Sequence, residues 1–331
     1  MAAPMLHPNL EYALAVAAAL WIALAVDRWL GEPPAALHPV VWMGNYLGAI
    51  GSRVAPRMHA ARPVDLPMFF IGALTWCVGA ACAWGVAMAL QTLVVQWLAP
   101  WAAALLLGLL LKPLFAWRML RDEVLAVEAA LAVSLDAGRK QLARLVSRDV
   151  SSLSEREVRE SAIESLAENL NDSLVAPVFW FVLFGLPGAA LYRFANTADA
   201  MWGYRGERNG RDWTWLGKWA ARADDVLSWA PARITVVLLA LAAWRWPTGA
   251  AGLSGEARRT PSPNSGWPMA AMALLLGVRL AKPGVYALNA EGRAPSAADM
   301  QRTAQLGERA ALALGVGASL LIVATTGWRW A

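Results

Sequence analysis

The chain has 331 residues, 58% hydrophobic and 16% charged, with a formal net charge of +5. That is too apolar for an ordinary soluble protein, and so small and interspersed a charge excess does not suggest nucleic-acid binding. Its two cysteines, Cys77 and Cys82, form neither a disulfide framework nor a metal-ligand pattern.

Taken in chain order, the first apolar run, Tyr12 to Val26, reads as a spanning helix. No Lys or Arg precedes Arg28, so the run lacks the basic leader of a cleaved signal peptide. A loop with Asp27, Gly31, Pro33, His38 and Pro39 follows. From Leu66 to Leu111 there is no charged residue or histidine. At 1.5 Å per residue this stretch is about 70 Å of helix, enough for two membrane crossings. The expected turn lies at Pro100, near the weakly polar Gln91 and Gln96.

A polar helical segment, 118–171, carries most of the acids. Ser154 with Glu157 three residues later is a capping box, and Val158, Ala162, Leu166 and Leu170 then share one helix face. The next apolar run, 173–192, is interrupted by Gly185, Pro187 and Gly188, which predicts a broken or re-entrant helix. A single kinked spanning helix is the alternative. Further apolar segments cover 234–244, 267–280 and 310–327. Trp29, Trp97, Trp101, Trp117, Trp244, Trp246, Trp328 and Trp330 lie near the ends of apolar runs, as in an interfacial aromatic belt. The chain 1–331 thus reads as one integral-membrane domain, an all-α, multi-pass helical protein with polar cytoplasmic helices. Arg118 and Arg121, directly after an apolar helix, favour the cytoplasm for segment 118–171. Two crossings earlier, the loop bearing Arg28, Arg53, Arg57 and Arg62 falls on the same side.

The polar residues recur in constellations. Glu160, Glu164, Glu168 and Asp172 are spaced by four, a stripe whose mutual repulsion calls for a cation, arginines or water. A solvated face with Arg156 and Arg159 nearby is the plain alternative. Tyr192, Asn196, Asp199 and Gly203 follow at helical spacing, either a ligand edge or a polar cap where a helix leaves lipid. Asp224 and Asp225, being adjacent, point to different faces and do not read as one pair. Arg222 and Arg233 suit either phosphate or a positive boundary. The turn 262–268 around Asn264 offers amides for an anion, or is an ordinary loop. Gly217 and Lys218 do not make a phosphate loop, because Asp212 and Trp219 stand where Gly and Ser/Thr are needed.

In order, these motifs resemble the adenosylcobinamide-phosphate synthase family of cobalamin biosynthesis, the CobD/CbiB proteins. The match runs from Asp27, Gly31, Pro33, His38, Pro39, Val40 and Gly44 through Arg148 and Asp149 to the stretches 164–172, 176–177, 192–204, 221–233 and 262–268. Departures from the family pattern fall at Ser173, at Ser228 to Pro231 and at Met269, and Glu160 lies outside the pattern. The resemblance implies ligation of adenosylcobyric acid to aminopropanol phosphate or ethanolamine phosphate, driven by ATP with Mg²⁺. It implies a cell inner membrane protein with its active site facing the cytoplasm. The substrates and the bilayer are then its partners, with other membrane enzymes of the pathway as further candidates and no nucleic acid. A non-catalytic corrinoid-binding partner or transporter of the same fold is the alternative.

Under the ligase reading the expected catalytic acids are Glu164, Glu168, Asp172, Asp199 and Asp224, with Glu168, Asp172 and Asp199 as metal ligands. The expected substrate-binding residues are His38, Asn169, Arg193, Asn196, Tyr204, Arg205, Arg222, Arg233 and Asn264. Because ATP is cytoplasmic, the break at 185–188 is expected to turn the chain back, or to hold the 196–233 motif in a cavity open to the cytoplasm.

Overall fold

A computed structural model describes residues 8–57, 64–249 and 252–325. Thirteen α-helices are found among them: α1 (Pro8–Trp29), α2 (Pro39–Val54), α3 (Leu66–Trp97), α4 (Pro100–Leu111), α5 (Trp117–Leu131), α6 (Leu135–Leu142) and α7 (Glu155–Leu170), then α8 (Ala176–Trp202), α9 (Lys218–Leu227), α10 (Trp229–Ala243), α11 (Gly252–Ala257), α12 (Gly266–Leu276) and α13 (Ala297–Ala324). Two short antiparallel hairpins complete it, β1 (Glu207–Arg208) with β2 (Arg211–Asp212) and β3 (Leu280–Lys282) with β4 (Tyr286–Leu288). Five helical stretches among the described residues are long and apolar enough to cross a membrane, and the bent pair α9–α10 adds a sixth if it counts as one span. The chain is a multi-pass helical membrane protein.

Contacts divide it into two compact units. One comprises the described parts of 1–115, 177–227 and 318–331, the other those of 116–176 and 228–317.

In the first unit, Asp65 caps α3 by accepting from the Met68 amide at 3.1 Å. The turn after α3 falls at Leu98 and Ala99, with Pro100 opening α4, as the sequence predicts. Helices α1 and α4 pack together, and a Cβ on Gly108 would lie 2.8 Å from the Ala19 carbonyl oxygen. Small residues of this kind let helices approach where lipid gives no hydrophobic drive. The apolar run in α8 is broken as expected, with Gly185 at φ 69° and ψ −155°. A straight helix would hold residues eight apart at about 12 Å. Here a Cβ on Gly188 would lie 2.3 Å from the Trp180 carbonyl oxygen, so the chain folds back on itself at Gly185. The Leu186 amide released by this reversal donates to Gln91 Oε1 at 2.7 Å. Gln91 therefore serves the break in α8 rather than the turn at Pro100.

The second unit is built around α7 and α12. The capping box forms, with the Ser154 amide donating to Glu157 Oε2 at 2.7 Å. Val158, Ala162, Leu166 and Leu170 are fully buried, and α7 packs against α5, α6, α12 and β3. Helix α12 is apolar all round and buried apart from Trp267, as a core helix should be. Between α7 and α8 the backbone widens into a π turn, Asn171–Val175, and the Ser173 carbonyl accepts from the Ala116 amide at 2.9 Å.

Trp29, Trp97, Trp101, Trp244 and Trp246 are exposed, as a belt requires. Trp117 is not part of it. Its ring is buried and its indole N–H donates to Glu308 Oε2 at 2.9 Å. Trp328, Trp330 and Arg62 lie outside the described residues. Cys77 and Cys82 are free and exposed.

Candidate functional site

In the first unit the loop after α1 builds an ion cluster. Asp27 and Lys112 are 1% and 2% exposed. Lys112 Nζ lies 3.1 Å from Asp27 Oδ1 and 2.7 Å from Glu32 Oε1, and it donates to the Phe115 carbonyl at 3.2 Å. Glu32 Oε2 in turn meets His38 Nε2 at 3.2 Å. His38 Nδ1 accepts from the Val40 amide at 3.3 Å, so the histidine also caps α2. Beside this cluster lies an apolar cavity of about 640 Å³, walled by residues such as Leu30, Trp42, Val86, Leu90 and Leu186. Sequence reasoning missed Lys112 and Glu32. The available signal was a lysine ending a long charge-free run, where its burial would demand an acidic partner.

The second motif of the same unit follows the reversal at Gly185. Tyr192 is fully buried. Asn196 Nδ2 lies 3.5 Å from Asp224 Oδ1, and Arg193 Nη1 lies 3.5 Å from Asn196 Oδ1. A Cβ on Gly203 would come within 2.0 Å of Asp199 Oδ1, so glycine there lets Asp199 sit against the end of α8. Tyr204 carries the Arg208 guanidinium 3.9 Å over its ring. Arg205 and Arg222 are exposed, and both act on the half-buried Asp225 carboxylate.

In the second unit the acidic stripe is not a solvated face. Glu160 is 0% and Glu164 5% exposed, since this side of α7 is covered. Glu160 pairs with Arg156 at 3.2 Å. Glu164, Glu168 and Asn169 line a polar cavity of about 200 Å³ with Arg148, Lys282 and Tyr286. Arg148 Nη2 donates to Ser161 Oγ at 2.6 Å and lies 3.8 Å from Glu164 Oε2. The neighbouring Asp149 carboxylate accepts from the Ser151 amide and hydroxyl at 2.9 and 3.0 Å. Those bonds hold its pKa below the usual carboxylate range and fix the turn that presents Arg148. Burial, then the charges of Glu164 and Glu168, push the Tyr286 hydroxyl up, so it stays a neutral donor. Asn169 Nδ2 donates to the Ser165 carbonyl at 2.9 Å. Asn171 Nδ2 donates to Asp172 Oδ1 at 2.7 Å, and Thr235 Oγ1 donates to Asn171 Oδ1 at 3.2 Å. The π turn thus carries the last two residues of this motif, a common place for such turns.

The last two motifs meet at Arg233. Its Nη1 donates to Asn264 Oδ1 at 2.7 Å and to the Trp229 carbonyl at 2.9 Å, and its Nη2 to the Pro263 carbonyl at 3.2 Å. Trp229 and Trp267 sandwich the guanidinium, with ring centroids 4.8 and 4.6 Å away. The amides of Asn264 and Ser265 donate to Ser262 Oγ at 3.2 Å each, as in an ordinary loop rather than an anion cradle. No group of three or more His, Cys, Asp or Glu that could hold a metal ion exists among the described residues. An ion that arrives on phosphate oxygens needs only one or two carboxylates.

Comparison with known proteins agrees with the ordered motifs. The family described as CobD/Cbib protein matches residues 20–313. A protein named probable cobalamin biosynthesis protein CobD, from Methanothermobacter thermautotrophicus, is 41% identical over 283 residues, covering 81% of this chain and 85% of its own length. The cobalamin biosynthesis protein CobD of Rhodobacter capsulatus is 37% identical over 310 residues, covering 89% of this chain and 93% of its own. No solved structure matches the chain.

Proposed function

Since the chain belongs to the CobD/Cbib family of cobalamin biosynthesis proteins, we propose that it is an ATP-dependent amide ligase of that pathway. In this reading it joins the carboxylate of adenosylcobyric acid to the amine of aminopropanol phosphate, or of ethanolamine phosphate. A free carboxylate has no leaving group, so ATP first phosphorylates it, and the C–N bond then forms as phosphate leaves and the amine loses its protons. Chemistry of this kind rests on positioning and charge neutralisation rather than on a special nucleophile. Mg²⁺ brought by the nucleotide would neutralise the transferring phosphates, with Asp172 or Asp199 as its protein ligand.

The observation that carries this reading is that the motif acids are enclosed beside cations. Asp27 and Glu164 are 1% and 5% exposed, next to Lys112 and Arg148. Charges inside a membrane protein are costly and mark function by default. ATP is cytoplasmic, so the active site is assigned to the cytoplasmic face of the inner membrane. Single cysteines at Val133 and Glu207, in a background free of Cys77 and Cys82, should label with an impermeant thiol reagent only in inverted vesicles.

The direct test is nutritional. A null mutant under a cobalamin-requiring condition should fail on cobyric acid and grow on cobinamide, which already carries the arm. Growth on both precursors would refute the ligase reading. Purified membranes should show turnover only when corrinoid, amine phosphate and ATP are all present, which a binding partner or transporter would not.

A further inference from the structure

We propose that the cavity between α7 and the β3–β4 hairpin is the binding site for a small zwitterion carrying an ammonium and a phosphate a few bonds apart. This deepens the ligase reading and rests on it, because such a zwitterion is the amine substrate of that reaction. The ammonium sits on Glu164 and the phosphate between Arg148 and Lys282.

Size comes first. At about 200 Å³ the space falls below the range of roughly 300–1,000 Å³ typical of drug-sized ligands, so a nucleotide or a macrocycle does not fit. The lining is also balanced in charge, with Arg148 and Lys282 against Glu164 and Glu168. A bare anion would meet two carboxylates, and a bare cation would meet two basic groups. A ligand with both charges satisfies both halves. Hydrogen-bonding capacity is open on each side. Glu164 Oε1 and Arg148 Nε are buried with no hydrogen-bond partner among the described residues. Buried polar atoms are rarely left so, because each costs its full desolvation. Arg148 is aimed by its bond to Ser161, and Tyr286 adds a hydroxyl donor against Glu164. Glu164 is then placed to take the proton that the ammonium must lose before the nitrogen attacks, leaving a neutral amine and a protonated carboxyl.

The test uses the full-length protein in nanodiscs and calorimetry with four probes: aminopropanol phosphate, aminopropanol, isopropyl phosphate and inorganic phosphate. The unmodified protein should bind the first about tenfold or more tighter than any other. Arg148→Gln should erase the advantage over aminopropanol, and Glu164→Gln the advantage over isopropyl phosphate. A merely structural role would weaken all probes alike. Tyr286→Phe, which removes a single oxygen, stands in should Glu164→Gln not fold, and it should also lower the affinity for aminopropanol phosphate. Equal affinity for aminopropanol phosphate and isopropyl phosphate, or variants that leave selectivity unchanged, would overturn the assignment. Selective binding without turnover would keep the cavity and refute the ligase. Turnover whose KM for the amine phosphate ignores both substitutions would do the reverse.

Discussion

Both units bury acids beside cations, yet the two clusters differ in how completely they are closed. Lys112 donates to Glu32 Oε1 and to the Phe115 carbonyl and ion-pairs with Asp27 Oδ1 at 3.1 Å, so each carboxylate there has the ammonium close against it. Around Glu164 the charges balance, but a carboxylate oxygen and a guanidinium N–H are left open. A closed network holds its own loop in place. An open one of the same composition is ready for something else to complete it. Burial alone does not separate these cases; the spacing of the charges does, with Lys112 3.1 and 2.7 Å from its two carboxylates and Arg148 3.8 Å from Glu164.

The largest effect that would test this contrast is Lys112→Met. It strands the buried Asp27 carboxylate and takes a cation from the half-buried Glu32, and should cost about 3–5 kcal/mol, read as a fall in thermal stability in detergent. Adding Asp27→Asn and Glu32→Gln should recover most of it; an unchanged melting temperature in the single variant would mean that the cluster is not closed. Gln91→Leu comes next. It leaves the Leu186 amide without its partner at the break in α8 and should cost about 1–3 kcal/mol by the same measurement. Arg233→Lys probes the cation at which the last two motifs meet. The fork to Asn264 and Pro263 and the stacking on two indoles are lost, for about 1 kcal/mol. If Arg233→Lys is instead neutral for stability but weakens phosphate binding, Arg233 belongs with the open cluster. The smallest stability effect is expected for Glu164→Gln, within about 1 kcal/mol of the unmodified protein, since no complete network is broken. A loss as large as that of Lys112→Met would erase the distinction between the clusters.

Much of the architecture is legible along the sequence because local rules write it there. The capping box at Ser154, the turn before Pro100 and the break at Gly185 each depend on a few adjacent residues, and all three are found. The buried face of α7 follows from its four-residue period. What stays hidden is pairing over long separations. Lys112 and Asp27 stand in different segments, and Tyr286 and Lys282 reach Glu164 from a hairpin more than a hundred residues on. No periodicity in α7 says which element will cover it, so the stripe could not be told from a solvated face. Trp117 and Gln91 were misread for the same reason, as their partners Glu308 and Leu186 lie far away in the chain.

The π turn at Asn171–Val175 sets how this part of the chain tolerates length changes. Each residue of a helix advances the side chains by about 100°, so removing one from the wide turn would tighten it to an ordinary helix and swing everything on one side of it through that angle. Asn171, bonded to Thr235, and Ser173, bonded through its carbonyl to Ala116, fasten the turn at its start and its middle. The phase between Glu164 and the start of α8 is therefore held by the number of residues between them more than by which residues they are. Point substitutions between Asn171 and Val175 should be tolerated where single deletions are not.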